Sequence, residues 1–135
     1  MSTTVGVGFS QHPDPQKAIL EACVQIKNQL NAAQTDLIII FASPEYIVPE
    51  IHPVVARTLK PKRVIGSSAG GMILPHGITN HGIALMGINS DDIAFGISAV
   101  DAVSKQDPHL AGFELTRHAS LDLNEPKASC IPRIK

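Results

Sequence analysis

The sequence predicts an α/β fold with a mixed sheet, parallel through a β-α-β-α-β first half, followed by an antiparallel β-hairpin and a C-terminal helix. Three observations predict it. The run Leu37-Ile38-Ile39-Ile40-Phe41-Ala42 is continuous rather than alternating, as in a strand buried on both faces of a parallel sheet. Ahead of it, Ala18, Ile19, Ala22, Cys23, Ile26 and Leu30 recur at three- and four-residue spacings, which gives a helix one apolar face. Residues 81–88 and 93–100 are two β-rich runs joined by Asn89-Ser90-Asp91-Asp92, a hairpin pattern.

Taken in order, residues 5–9 read as the first strand, with Val5, Val7 and Phe9 on one face and Gly6 and Gly8 on the other. Glycines on one face imply that another element approaches closely. Asp14 suits an N-cap and Pro15 the first helical position, so a helix starts there and runs to about Asn31. Thr35-Asp36 breaks the pattern before the second strand, residues 37–42. Ser43-Pro44 repeats the cap-then-proline logic for a short helix, which Pro49 and Pro53 interrupt. A further helix covers residues 53–59 and ends before Pro61. Residues 63–65 form a short third strand, and residues 72–77 read as strand or loop. Asp107-Pro108 opens a last helix with Leu110, Ala111, Leu115 and Ala119 facing inward. Beyond Ala119 the chain is polar and punctuated by Pro126 and Pro132, which reads as a loosely ordered tail over residues 121–135.

At 135 residues the chain suggests one domain. With 44% hydrophobic and 17% charged residues, disorder is excluded for most of its length. The 11 basic and 12 acidic residues nearly balance and form no basic stripe, which argues against nucleic acid as a partner. The longest apolar run, residues 37–42, is far short of the roughly 20 residues a membrane helix needs. The N-terminus shows no secretory signal. Cys23 and Cys130 sit far apart without metal-ligand spacing and read as reduced thiols of a cytoplasmic protein, with a disulfide between them as the alternative.

The chemistry concentrates at Gly66-Ser67-Ser68-Ala69-Gly70-Gly71, directly after the third strand. A glycine- and serine-rich turn at a strand end offers backbone N–H groups and small hydroxyls to a polar ligand. Ser10 and Ser43 also follow strand ends of the same kind. The candidate ligand-binding set is therefore Ser10, Ser43, Gly66, Ser67, Ser68, Ala69 and Gly70, weighed against the plainer reading that the glycines serve tight packing. The turn also fits the Gly-x-Ser-x-Gly pattern of a serine nucleophile. In that alternative Ser68 attacks, His118 or His109 is the base, and Asp101 or Asp107 orients it, as in serine peptidases whose nucleophile turn this one resembles. Against it, the motif should open a helix, and residues 72–77 do not read as one. The six histidines, His12, His52, His76, His81, His109 and His118, read as loop or surface residues. No carboxylate or cysteine lies between His76 and His81 at ligand spacing, so no metal site is expected. Asp91-Asp92 is explained by the turn it occupies.

These pieces in this order resemble the N-terminal domain of the FIST family, a bacterial sensory domain also found in some eukaryotic F-box proteins. The likeness rests on residues 10–15, 36–44 and 64–71 and on the run 82–100, and it covers roughly residues 5–119. It implies intracellular signal transduction through binding of a small ligand, amino acids among them, without catalytic residues. It also implies an output partner of unknown kind, and no cofactor, with haem implied only by analogy with some relatives. The usual domain continues for another helix and strand, so a truncated copy is expected: a partial FIST-like domain over residues 1–120, then the tail. An incomplete sheet would leave an edge through which two copies could pair.

Overall fold

The computed structural model describes residues 2–31 and 34–124. In chain order the elements are β1 (Thr3–Ser10), α1 (Pro15–Leu30), β2 (Thr35–Ala42), a 3-10 turn (Pro44–Tyr46), α2 (Ile51–Leu59), β3 (Pro61–Ser68), β4 (Met72–Leu74), β5 (Gly77–Thr79), β6 (Ile83–Ser90), a second 3-10 turn (Val103–Lys105) and α3 (Pro108–Asn124). Four strands form one mixed sheet in the order β1-β6-β2-β3, with β2 and β3 parallel and β6 antiparallel to both β1 and β2. β4 and β5 form a separate antiparallel hairpin. This is the α/β architecture the sequence predicts.

The hairpin, however, is not where the sequence places it. β6 does not fold back on residues 93–100, which form no strand; it inserts between β1 and β2. The alternation of Ile93, Phe95 and Ile97 serves a different contact. A Cβ on Gly96 would lie 2.8 Å from Leu123 Cγ, and Ile97 N donates to Asp122 Oδ2 at 3.0 Å, so this extended segment runs against α3. The hairpin that does form is the 72–79 stretch. Leu110 and Leu115, expected inside, are exposed, whereas Ala111 is buried. Residues 121–124, expected in the tail, complete α3; the rest of that tail, with Cys130, lies outside the described residues.

α1 forms as its sequence dictates. Asp14 accepts the N–H groups of Gln16 and Lys17 at 2.9 and 3.3 Å, Pro15 occupies the first position, and Asn31 closes the helix in the left-handed region at φ 47°. Its buried residues are Ala18, Ile19, Ala22, Cys23, Ile26 and Leu30. They join Ile38, Ile40, Val55, Leu59, Ile83 and Leu85 in the core. Cys23 is a free thiol that burial pushes up to about 12, so it stays protonated and inert. The close approach expected at the glycine face of β1 is present. A Cβ on Gly8 would lie 2.7 Å from the Ala22 carbonyl carbon, and one on Gly87, which pairs with Gly6, would lie 2.7 Å from Ile26 Cγ2.

The outer edge of β1 is closed by α1. Gln29 accepts from Val7 N at 3.0 Å and donates to Val7 O at 2.7 Å; Gln25 does the same for Phe9, at 3.0 and 2.9 Å. Two side chains one helical turn apart thus imitate a neighbouring strand. The opposite edge strand, β3, keeps residues 65–68 exposed.

At the far end of β2, Asp36 is nearly buried. Lys62 Nζ lies 2.6 Å away and Ser90 N donates to it at 2.8 Å. Burial pushes this carboxyl up, but the Lys62 and Ser90 hydrogen bonds with the Lys62 and Arg63 charges outweigh that and hold it below the usual carboxylate range. A depressed folded-state pKa gives stability that is complete above the unfolded value and is lost as pH falls through the folded one. Urea unfolding across acid pH is therefore expected to show a loss that Asp36→Asn removes; an unchanged profile in the variant would assign the loss elsewhere.

Candidate functional site

β1, β2 and β3 all run in one direction, because β6 is antiparallel to β1 and β2 and β3 is parallel to β2. Their C-terminal tips therefore share one edge. Ser10, Ser43 and Ser68 lie on it, with Gly82 at the start of β6 between the first two. Serines far apart in sequence reach one edge because each follows a strand of the same sense.

Two of these serines are used internally. Ser10 is 6% exposed; its hydroxyl donates to Glu21 Oε2 at 2.6 Å and accepts from His12 N at 3.1 Å. Ser43 is fully buried and is clasped by Gly82. Ser43 N donates to Gly82 O at 3.0 Å and Gly82 N donates to Ser43 Oγ at 3.0 Å. The Ser43 hydroxyl donates to Glu45 Oε1 at 2.9 Å, with Gly82 O the alternative acceptor at 3.2 Å. Both hydroxyls are thus already hydrogen-bonded within the protein.

The third tip is open. Gly66, Ser67, Ser68 and Gly70 are exposed and Ala69 is half-buried. Ala69 N donates to Ala42 O at 2.9 Å, which holds the turn beside β2, and Ser67 Oγ donates to Ser68 O at 3.0 Å. The glycines divide between the two readings. Packing explains Gly66, whose Cβ would lie 2.7 Å from Ile40 O; it does not explain Gly70, where a Cβ would meet nothing within 4 Å. Residues 72–74 form β4, so the turn does not lead into a helix. Of the His and Asp partners considered for Ser68, His109 and His118 lie on α3, and Asp101 and Asp107 precede it. Asp107 caps α3 through His109 N and Leu110 N, and His118 lies 3.5 Å from Glu114.

Sequence reasoning missed the side-chain cluster on this edge. Glu45 pairs with His81 Nδ1, and both side chains are about half exposed, at 47% and 51%. Tyr46, 1% exposed, reaches His81 Nε2 at 2.9 Å and donates to His12 O at 3.0 Å. Gln11 Nε2 donates to Thr79 Oγ1 at 2.9 Å and to His81 O at 2.8 Å. The N–H of Glu45's own backbone, then the Ser43 hydroxyl and His81, hold the Glu45 carboxyl below its ordinary range. Burial and the neighbouring Glu45 charge push the Tyr46 phenol up. The edge thus offers an ionised carboxylate, an imidazole and, across the tip of β2, a serine–glycine turn. The residues come from four separate segments, and no spacing in the sequence joins them.

Two concave sites lie elsewhere. One, of about 350 Å³, follows α3 at Phe113, Thr116, Arg117, Ser120 and Leu121. The other, of about 180 Å³, lies by Asp36, Lys62 and Ser90 at the opposite end of the strands. Among the described residues no group of three or more His, Cys, Asp or Glu side chains is placed to hold a metal ion, and no helix is long and apolar enough to cross a membrane.

A family model described as the FIST N domain matches residues 36–131. No curated protein matches. A solved structure, CetZ from Methanosaeta thermophila strain DSM 6194, aligns at 16% identity with a TM-score of 0.37, covering 90% of this chain and 30% of that one.

Proposed function

Because the chain belongs to the FIST N domain family, a family of sensory signal-transduction domains, we propose that it binds a small polar ligand, an amino acid or similar molecule, at the shared edge of its strand tips. The observation that carries this reading is the half-exposed Glu45–His81 pair beside an open serine–glycine turn whose Gly70 has no packing reason to be glycine. A ligand ammonium is matched by the Glu45 carboxylate. A ligand carboxylate is matched by the Ser68 hydroxyl and by N–H groups of the turn, an arrangement suited to anions. In this proposal the protein is a cytoplasmic, non-enzymatic sensor that works without a cofactor and passes its signal to a separate output protein. Isothermal titration with the free amino acids is expected to find a ligand whose affinity falls about tenfold in Glu45→Gln, the loss of one charge-assisted hydrogen bond. Silence across the panel, or an unaltered affinity in the variant, would refute it.

The alternative is a hydrolase with Ser68 as nucleophile, which the exposure of that residue keeps open to test. Labelling by a fluorophosphonate that vanishes in Ser68→Ala would replace the sensor reading. The same proposal has two copies pair along β3, since Gln25 and Gln29 close the other edge. Sedimentation at rising concentration should show a dimer that Ile65→Lys, a charge on the exposed edge strand, abolishes; a monomer throughout contradicts it.

A further inference from the structure

Tyr46 has one hydroxyl proton and two acceptors. Its oxygen lies 3.0 Å from His12 O and 2.9 Å from His81 Nε2. On the other side of the ring Nδ1 faces the Glu45 carboxylate, which keeps a proton on that nitrogen in either charge state of the imidazole. Nε2 is therefore the atom that changes. When the ring is charged, Nε2–H donates to the Tyr46 oxygen and the phenol proton is free to hold His12 O. When the ring is neutral, Nε2 is a bare lone pair. If the phenol proton stayed on His12 O, two lone pairs would face each other at 2.9 Å. The proton must turn to Nε2, and His12 O loses its donor.

We propose that protonation of His81 fastens the β1–α1 connection to the Pro44–Tyr46 turn, and that deprotonation releases it, through the single Tyr46 proton. Tyr46 can serve as the relay because it is buried and held in place, with its ring edge-on to His81 at 5.1 Å and 70°. The groups facing His81 are few. Glu45 is the charged one, Tyr46 lies beneath, Thr79 Oγ1 accepts from the backbone N at 3.2 Å, and the Gln11 amide donates to the backbone O at 2.8 Å. Among the described residues no second charged side chain bonds the ring, so the charge of this imidazole alone sets the direction of the phenol proton. The segment it controls, from Gln11 to the Asp14 cap of α1, borders the shared edge.

The proposal does not depend on a ligand, and neither does its test. In a His12→Asn background, which leaves no ionisable group at that position, the carbonyl ¹³C resonance at position 12 should move in step with the His81 ring resonances as pH is varied. Adding Tyr46→Phe should flatten the carbonyl profile while the His81 ring still titrates. A profile that persists without the hydroxyl, or one already flat while His81 titrates, overturns the relay. His81→Gln gives a second reading that leaves the core intact. Its amide does not change charge, so the position-12 carbonyl should stay flat across the same pH series; a retained shift overturns the proposal.

Discussion

Gly8→Ala should destabilise the protein by about 3 kcal/mol or more, at the upper end of the range for overpacked cores. The new methyl has no low-cost way out. It would stand 2.7 Å from the Ala22 carbonyl carbon and 2.9 Å from its Cα, both backbone atoms of α1, so the helix as a whole must lift. α1 cannot lift freely, because Gln25 and Gln29 tie it to β1 by four hydrogen bonds. Urea unfolding measures the loss, and Val7→Ala provides the comparison. Val7 is the preceding residue on the opposite face and is 43% exposed, so its truncation should cost about 0.5 kcal/mol. Equal costs for the two variants would show that the tight helix–strand contact does not hold the fold.

Gly82→Ala should be the second severe change, and it acts on the candidate site. Gly82 has φ +134°, a conformation that an L side chain adopts at a cost of about 1–3 kcal/mol. The added Cβ would also lie 2.8 Å from Phe9 Cε2 and 2.9 Å from Ser10 O. Phe9 can rotate; the Ser10 backbone cannot. Since Gly82 clasps Ser43 through both its N–H and its carbonyl, displacing it loosens Glu45 and His81 as well. The expected result is a lower unfolding midpoint, together with a shifted Ser43 amide resonance and lost protection of that amide from exchange. A fully protected Ser43 amide in the variant would contradict this account.

Much of the fold could be read from the chain because local chemistry and tertiary packing agree there. The apolar face of α1, its Asp14 cap, the buried run of β2 and the glycine face of β1 each follow from a short-range pattern that the packing uses unchanged. Where two destinations suit one pattern, the sequence misleads. Residues 93–97 alternate like a strand, yet their backbone is taken by α3 through Asp122. β6 meets two partners instead of a hairpin mate, because the apolar character of β1 and β2 offers it a central place. β3 is longer than its apolar residues suggest, since Gly66 and the two serines continue the parallel ladder opposite Ile40 to Ala42 without being apolar. Of the candidate site, the sharing of one edge by the serines could be read from strand order. The cluster could not, because tertiary folding alone brings Gln11, the adjacent pair Glu45 and Tyr46, and His81 together.

Whether this edge recognises a small polar molecule can be read from chemical-shift mapping. When ¹⁵N-labelled protein is titrated with the free amino acids at constant pH, perturbed amides should cluster at residues 10–12, 43–46, 66–71 and 79–82. Perturbations centred on the α3 groove at Phe113 and Leu121, or a spectrum unchanged by every member of the panel, would contradict it.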